Sequence, residues 1–390
     1  MNTTDVLIVG GGIAGASAAA YLARDRRVIV LEQESQPGYH ATGRSAALFT
    51  ETYGNDTVRR LSRGSRAFYE APPDGFADAS ILGPRGAFLV APDGHRAALA
   101  AMAADFRTLC PDLEWLEGDD VRRVVPPLDT REVVAGLLEP GAMDVDTHAL
   151  HGGYLRLARA RGATIVTDAH VAAVARSNGA WEATTTAGAF AAPVLVNAAG
   201  AWGDAVAALA GVAPLGLEPK RRTALIVAPD GLDITGWPLT YLIDDSLYFK
   251  PEAGKLLVSP ADATPSPPCD AQADELDVAR AADRLTRVTG IAVKRIEHRW
   301  AGLRTFAPDD TPVAGFDLAA PGFFWLVGQG GYGFQTADAL ARTTAALIAG
   351  EDLPADLTAL GLSAADLAPA RLERDSRRRN HFGVSARARF

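Results

Sequence analysis

The 390 residues exceed one typical domain and suggest two, with ample chain for a buried core. Hydrophobic residues make up 48% and charged residues 22%, an ordinary globular composition without any uninterrupted apolar stretch of membrane-spanning length. The net charge of -9 argues against a generic nucleic-acid binder, and the N-terminus lacks a basic segment leading into an apolar run, so a cytoplasmic protein is expected.

The chain opens as strand, glycine turn and helix. Val6-Leu7-Ile8-Val9 breaks into Gly10-Gly11-Gly12-Ile13-Ala14-Gly15 and then into the small, helix-compatible residues 16–23. Gly10 allows the tight turn, Gly12 lets the backbone approach a pyrophosphate, and Gly15 lets the helix pack on the strand. The helix then offers its positive N-terminus to the phosphates. A second strand, Val28-Ile29-Val30-Leu31, ends on Glu32, where a carboxylate can take the two hydroxyls of an adenosine ribose. This spacing predicts an ADP-bearing dinucleotide without saying which one.

Pro72-Pro73-Asp74-Gly75 and Gly83-Pro84-Arg85-Gly86 end the first helical region, and the insert running to Glu139-Pro140-Gly141 reads as part of another domain. A helix through His151, Tyr154 and Leu157 leads to a strand at 162–166, and Trp181 to Thr185 alternates as a strand should. Val194-Leu195-Val196-Asn197 then runs into a small-residue turn, Ala198-Ala199-Gly200-Ala201-Trp202, able to bring backbone close to a cofactor. After Pro214 and Pro219 come strands at 223–227, 247–250 and 256–259, a proline-rich loop at 264–268 and a helix from Ala271 to Thr289. Finally Phe323-Phe324-Trp325-Leu326-Val327 breaks into Gly328-Gln329-Gly330-Gly331-Tyr332-Gly333 and a helix through Thr336, Leu340 and Leu347.

Cys110 and Cys269 have no neighbouring Cys or suitable His, so no metal site is expected. Between Arg371 and Phe390 seven arginines face Glu373 and Asp375, a local +5 against -14 elsewhere. That tail reads as a solvated terminus or helix end on the protein's own acidic surface, in preference to an arm for an acidic partner.

In the segments at 36–47, 196–202, 219–222, 300–304 and 328–333 the chain resembles the D-amino-acid oxidase superfamily of FAD-dependent amine oxidoreductases, and within it the D-arginine dehydrogenase branch. The resemblance runs in matching order from residue 5 to about 350. It implies an α/β fold: an FAD-binding Rossmann-like domain from 1–82, 145–215 and 305–370, and an α+β substrate domain on an antiparallel sheet from 83–144 and 216–304. Residues 371–390 form the tail. It also implies non-covalent FAD, touched by Gly10, Gly12, Ile13, Ala14, Gly15, Glu32 and Gln33 at one end. Gly43, Arg44, Ser45 and Ala46 would follow along the cofactor, Val171 at the adenine, and Ala199, Gly200 and Trp202 in the middle. Gly328, Gly330, Gly331, Tyr332, Gly333 and Gln335 complete the set, Gln335 opening a helix aimed at the pyrimidine side of the flavin.

Such a family removes a hydride equivalent from the carbon bearing an amine, and water hydrolyses the resulting imine. The resemblance assigns the substrate carboxylate to Arg222 and Arg304, whose planar guanidiniums suit bidentate binding. Tyr53 and Tyr248 would hydrogen-bond the carboxylate or help position the amine, and the Gly330-Gly331 backbone would lie against the amine and the flavin.

The departures concern the substrate. Ala87 stands where the D-arginine branch has a carboxylate for the substrate guanidinium, and Leu48 where it has a histidine. An unpaired guanidinium there would cost several kcal/mol, so a D-amino acid with an apolar side chain is expected unless nearby Glu51 restores the charge. The strand 256–259 lacks the lysine that assists oxygen in several oxidases, which favours a dehydrogenase passing electrons to a quinone or other acceptor. The alternatives are a peroxide-producing oxidase of secondary amines, sarcosine- or iminodiacid-like, and a flavin-binding protein whose basic tail recruits a partner.

Overall fold

The computed structural model describes residues 1–229 and 231–372. The expectations for the basic tail therefore lie, beyond Leu372, outside the described residues.

Six strands form the sheet begun by the opening motif, in the order Thr164–Val166, Val28–Leu31, Val6–Val9, Val194–Asn197, Phe323–Val327, Val313–Phe316. The first five are parallel, and the last pairs antiparallel at the edge. Val6–Val9 and Phe323–Val327 are buried along their whole length, as continuous apolar strands covered on both faces must be. One face packs against the helices Ile13–Leu22, Thr147–Ala160 and Ala337–Ala349. The other packs against a small sheet in which Val171–Ser177, Ala180–Thr185 and Gly188–Ala192 form a meander. Register places Val9 beside Leu31 and Asn197, and Asn197 beside Trp325. The turns that follow those strands thus gather at one end of the sheet, where α/β proteins bind nucleotides.

A nine-stranded sheet lies beyond that end. Its pairings are antiparallel except for Ala87–Ala91 with Leu239–Leu242, which run parallel, so the antiparallel expectation holds for all but one pair. The long pair Glu218–Val227 and Ile296–Phe306 carries Arg222 and Arg304. One face, through Leu225, Phe249, Leu256 and Val258, buries the helix Glu275–Thr289. That helix starts later than Ala271 because Asp274 caps it, accepting the backbone N–H groups of Leu276 and Asp277. Residues alternate across the sheet, so Arg222, Ala224, Tyr248 and Arg304 share the opposite face. A third, three-stranded sheet of Leu48–Phe49, Met143–Val145 and Leu82–Pro84 ties the segment around residue 50 to the chain on either side of the insert.

Candidate active site

Two adjoining cavities lie between the six- and nine-stranded sheets. The larger, of about 270 Å³, is lined by Gly10, Gly12, Glu32, Gln33, Val171 and Trp202 among others; the smaller, of about 150 Å³, by Ser45, Ala46, Arg222, Tyr248, Arg304 and Gly331 among others. Gly12, Thr42, Arg44, Gly200 and Gly302 border both, so the two form one elongated space.

The opening loop shapes the first end. Gly10 has φ +107°, and a Cβ there would stand 2.4 Å from the Ala198 carbonyl oxygen. At Gly15 a Cβ would fall 1.9 Å from the Gly10 carbonyl oxygen, so no side chain fits where the helix meets the turn. Glu32 accepts the Gly11 N–H at 2.9 Å and the Glu34 N–H at 3.0 Å, which orients its carboxylate at the cavity wall. Burial raises that carboxyl above the usual range, against the pull of these two backbone donors. Thr42 accepts the Ile13 N–H at 3.0 Å. His151 hydrogen-bonds the Gly11 carbonyl oxygen at 2.9 Å, and burial holds its pKa below the ordinary value, so the imidazole is neutral and donates from Nε2.

At the middle, Arg44 reaches across from the loop after the second strand. Its Nη1 donates to the carbonyls of Ala271 and Ala301, each at 3.0 Å, and its Nη2 pairs with Asp270. This ties the loop at 270–273 over the cavity. Trp300 Nε1 in turn donates to the Arg44 carbonyl at 3.0 Å.

The second end holds two guanidiniums. Arg222 donates from Nε to the Asp262 carbonyl oxygen at 2.7 Å and lies 5.9 Å from the Tyr248 ring centroid. Arg304 Nη1 stands 3.5 Å from the Tyr53 hydroxyl. Among the described residues neither makes a salt bridge, and both line the smaller cavity. Burial, then the nearby Arg304 charge, lowers the Arg222 pKa, yet a guanidinium remains charged at any working pH. Two half-buried cations that make no salt bridge among the described residues, with Asp245 and Asp262 acting on them only at a distance, suit an anionic ligand. Asp245 lies in the turn before Tyr248; partial desolvation raises its carboxyl although the side chain reaches the surface, while Arg222 and Arg304 pull it down.

Other expected residues sit differently. Ala14, Ala199, Gly330 and Gly333 line the space, but Gly328 packs on Ala307 and Gly43 closes a turn by donating to the Gly38 carbonyl. Tyr332 lies behind Tyr53 in an edge-to-face contact, ring centroids 5.0 Å apart. Gln335 does not open the helix, which begins at Ala337; its buried side chain donates to Ser62 Oγ at 2.8 Å. Leu48, Glu51 and Ala87 line neither cavity. The Glu51 carboxylate is taken by Arg66 at 2.8 Å, with Arg63 at 3.6 Å. Thr42, His151, Asp262 and Asp270 were missed. Only Thr42 lay in a segment that carried a recognisable motif.

The family pattern described as FAD dependent oxidoreductase, DAO, matches residues 5–347. The chain belongs to this family.

A relative among DAO proteins, glycine oxidase of Bacillus licheniformis, is 26% identical over 328 residues, covering 80% of this chain and 84% of its own. Sarcosine oxidase subunit beta of Rhizobium meliloti is 31% identical over 186 residues, 45% of this chain and 44% of that one. Among solved structures, glycine oxidase from Geobacillus kaustophilus superposes with a TM-score of 0.81 at 22% identity, covering 92% of this chain and 98% of that one. The relatives are thus oxidases of other amines as well as amino acids, and do not single out the D-arginine branch. The DAO cofactor is FAD, and the elongated space fits it: a glycine cradle that any Cβ would fill, an oriented Glu32, and a continuous path to the arginine pair. The protein is an FAD-dependent oxidoreductase. Among the described residues no helix is long and apolar enough to cross a membrane, and no cluster of His, Cys, Asp and Glu could hold a metal ion.

Proposed function

We propose that the protein oxidises the C–N bond of a small, uncharged α-amino acid or N-substituted glycine, its carboxylate held by Arg222 and Arg304. The observation that carries this is the pair of half-buried guanidiniums, neither in a salt bridge among the described residues, at the far end of the FAD space. Bound FAD supplies a ring that accepts the hydride equivalent.

The chain's own residues do the positioning. Arg222 and Arg304 bind the carboxylate from the sheet face, where Gly302, opposite Arg222 in register, leaves room for it. Tyr248 forms the wall beside Arg222, and Tyr53 caps Arg304. Gly331 brings bare backbone to the same point, since a Cβ there would lie 2.9 Å from the Tyr53 hydroxyl. A carboxylate so held leaves the amine-bearing carbon as the group presented to the ring.

Glycine oxidase and sarcosine oxidase subunit beta among the relatives support a small primary or secondary amine. A D-amino acid with an apolar side chain is the second reading. It is favoured by the protein's own use of Glu51 and Glu139, which leaves neither to meet a basic side chain. Among the described residues no lysine lines either cavity; Lys250 pairs with Asp144 at 2.9 Å and Lys255 with Glu297 at 2.8 Å. This supports a dehydrogenase that passes electrons to a quinone or another acceptor over an oxidase.

Anaerobic mixing of the holoenzyme with glycine, sarcosine, iminodiacetate, D-alanine, D-leucine and D-arginine tests the reading. Bleaching of the flavin by the small or apolar compounds ahead of D-arginine is expected. Bleaching by none, or by D-arginine first, contradicts it.

A further inference from the structure

A buried carboxylate outside the two cavities grips the segment that ends in Tyr53. Glu139 closes the strand Ala135–Glu139, directly opposite Ala87, and is only 5% exposed. Its Oε2 accepts the hydroxyls of Thr50 at 2.7 Å and Thr52 at 2.6 Å, and its Oε1 accepts the Glu51 N–H at 3.1 Å. Thr50 Oγ1 also accepts the Thr52 N–H at 3.2 Å. From the other side Arg59 donates to the Thr52 carbonyl at 3.1 Å, and Arg66 holds the Glu51 side chain. All three residues before Tyr53 are therefore fastened. Tyr53 itself is 40% exposed, and its side chain rests on Tyr332 and Arg304.

Burying a carboxylate is costly unless donors satisfy it, and three donors converge here from consecutive residues. Three of its roughly four lone-pair sites are taken by those donors, Cys110 also engages the carboxylate, and Glu139 lines neither cavity, so it is not a ligand for a substrate amine. A fully satisfied buried network selects one local geometry. The geometry it selects is the one that sets the Tyr53 hydroxyl over Arg304 and Gly331.

We propose that Glu139 is a positioning residue: through Thr50, Glu51 and Thr52 it sets Tyr53 at the mouth of the arginine pair, and so acts on substrate binding without touching substrate. The proposal rests on the reading of Arg222 and Arg304 as the carboxylate site.

The test is a double-variant cycle on the holoenzyme with sarcosine as the probe, following KM and kcat separately together with flavin content and absorbance. Glu139→Gln keeps an acceptor for the threonines but turns an amide N–H₂ toward the Glu51 N–H. It is expected to raise KM about tenfold, change kcat less than threefold, and leave flavin content unaltered. In a Tyr53→Phe background the same change should add less than twofold, because both act through the one hydroxyl. Thr52→Val, which removes a single donor, should raise KM in the same direction by less, and serves if Glu139→Gln yields no folded protein. Full multiplication of the effects in the double variant, or a silent Glu139→Gln, overturns the proposal. A silent Tyr53→Phe beside a damaging Arg304→Lys overturns positioning alone. If sarcosine is turned over and both of these are silent, the carboxylate-site reading falls and the proposal with it.

Discussion

Arg304 Nη1 lies 3.5 Å from the hydroxyl of Tyr53, a contact between residues 251 positions apart. It joins the face of the nine-stranded sheet to the segment held by Glu139, and it stands beside Gly331 at the end of the third glycine loop. Three distant parts of the chain thus surround one guanidinium whose other donors have no protein acceptor among the described residues.

Arg304→Lys keeps the charge but loses the planar fork. The loss of a bidentate, desolvated contact is about 2–3 kcal/mol, so kcat/KM should fall on the order of 100-fold. Arg222→Lys should do the same and also free the Asp262 carbonyl. Steady-state kinetics with the best amino acid of the panel measure both; a loss under threefold in each would remove the carboxylate site.

Gly331→Ala would place a methyl 2.9 Å from the Tyr53 hydroxyl and 3.1 Å from Arg304 Nη1. The backbone there is not left-handed, so folding is spared and the two side chains must move. KM should rise about tenfold while flavin content per chain remains that of the parent protein. Gly15→Ala makes a contrasting case, because its methyl would meet backbone at 1.9 Å; flavin retention should be lost with it.

Asp270→Ala removes the carboxylate that Arg44 and Tyr39 share, and leaves the loop over the cofactor tied only through backbone carbonyls. FAD should leave about tenfold faster on dilution, read as recovery of flavin fluorescence, with little change in KM. An unaltered release rate would show that the loop does not retain the cofactor.

His151 makes stability depend on pH. Burial lowers its folded pKa below the unfolded value of about 6.5, so the unfolded chain takes up a proton first as pH falls. The stability present above about pH 6.5 is therefore lost as pH drops from there toward the folded pKa, with a slope of at most about 1.4 kcal/mol per pH unit. Thermal melts of the parent protein and His151→Gln between pH 5 and 8 should converge at the acidic end; parallel curves would contradict this.

How far the sequence was legible follows from distance along the chain. Gly10, Gly15 and Glu32 belong to a local strand, turn and helix, and the spacing itself carries the geometry. Arg222 and Arg304 were legible through the segments around them, and antiparallel pairing puts them on one face. What escaped depends on which strands pair and which side chains meet between them. Ala87 faces Glu139 across 52 positions, and Glu51 is drawn to Arg66 on the next helix, so neither the emptied charge nor its expected substitute lies on a cavity wall. Gln335 was misplaced for a related reason: the helix starts two residues later and the side chain turns inward to Ser62.

We propose that the two guanidiniums present an amino acid to the flavin. The most direct test is the rate of anaerobic flavin bleaching by sarcosine and D-alanine, compared between the parent holoenzyme and an Arg222→Met, Arg304→Met double variant of equal flavin content. Saturable bleaching by at least one of the two compounds is expected in the parent, with at least a 1,000-fold lower second-order rate in the variant, the loss of two charge-assisted contacts. Equal rates in the two proteins, or no bleaching of the parent by either compound, would contradict it.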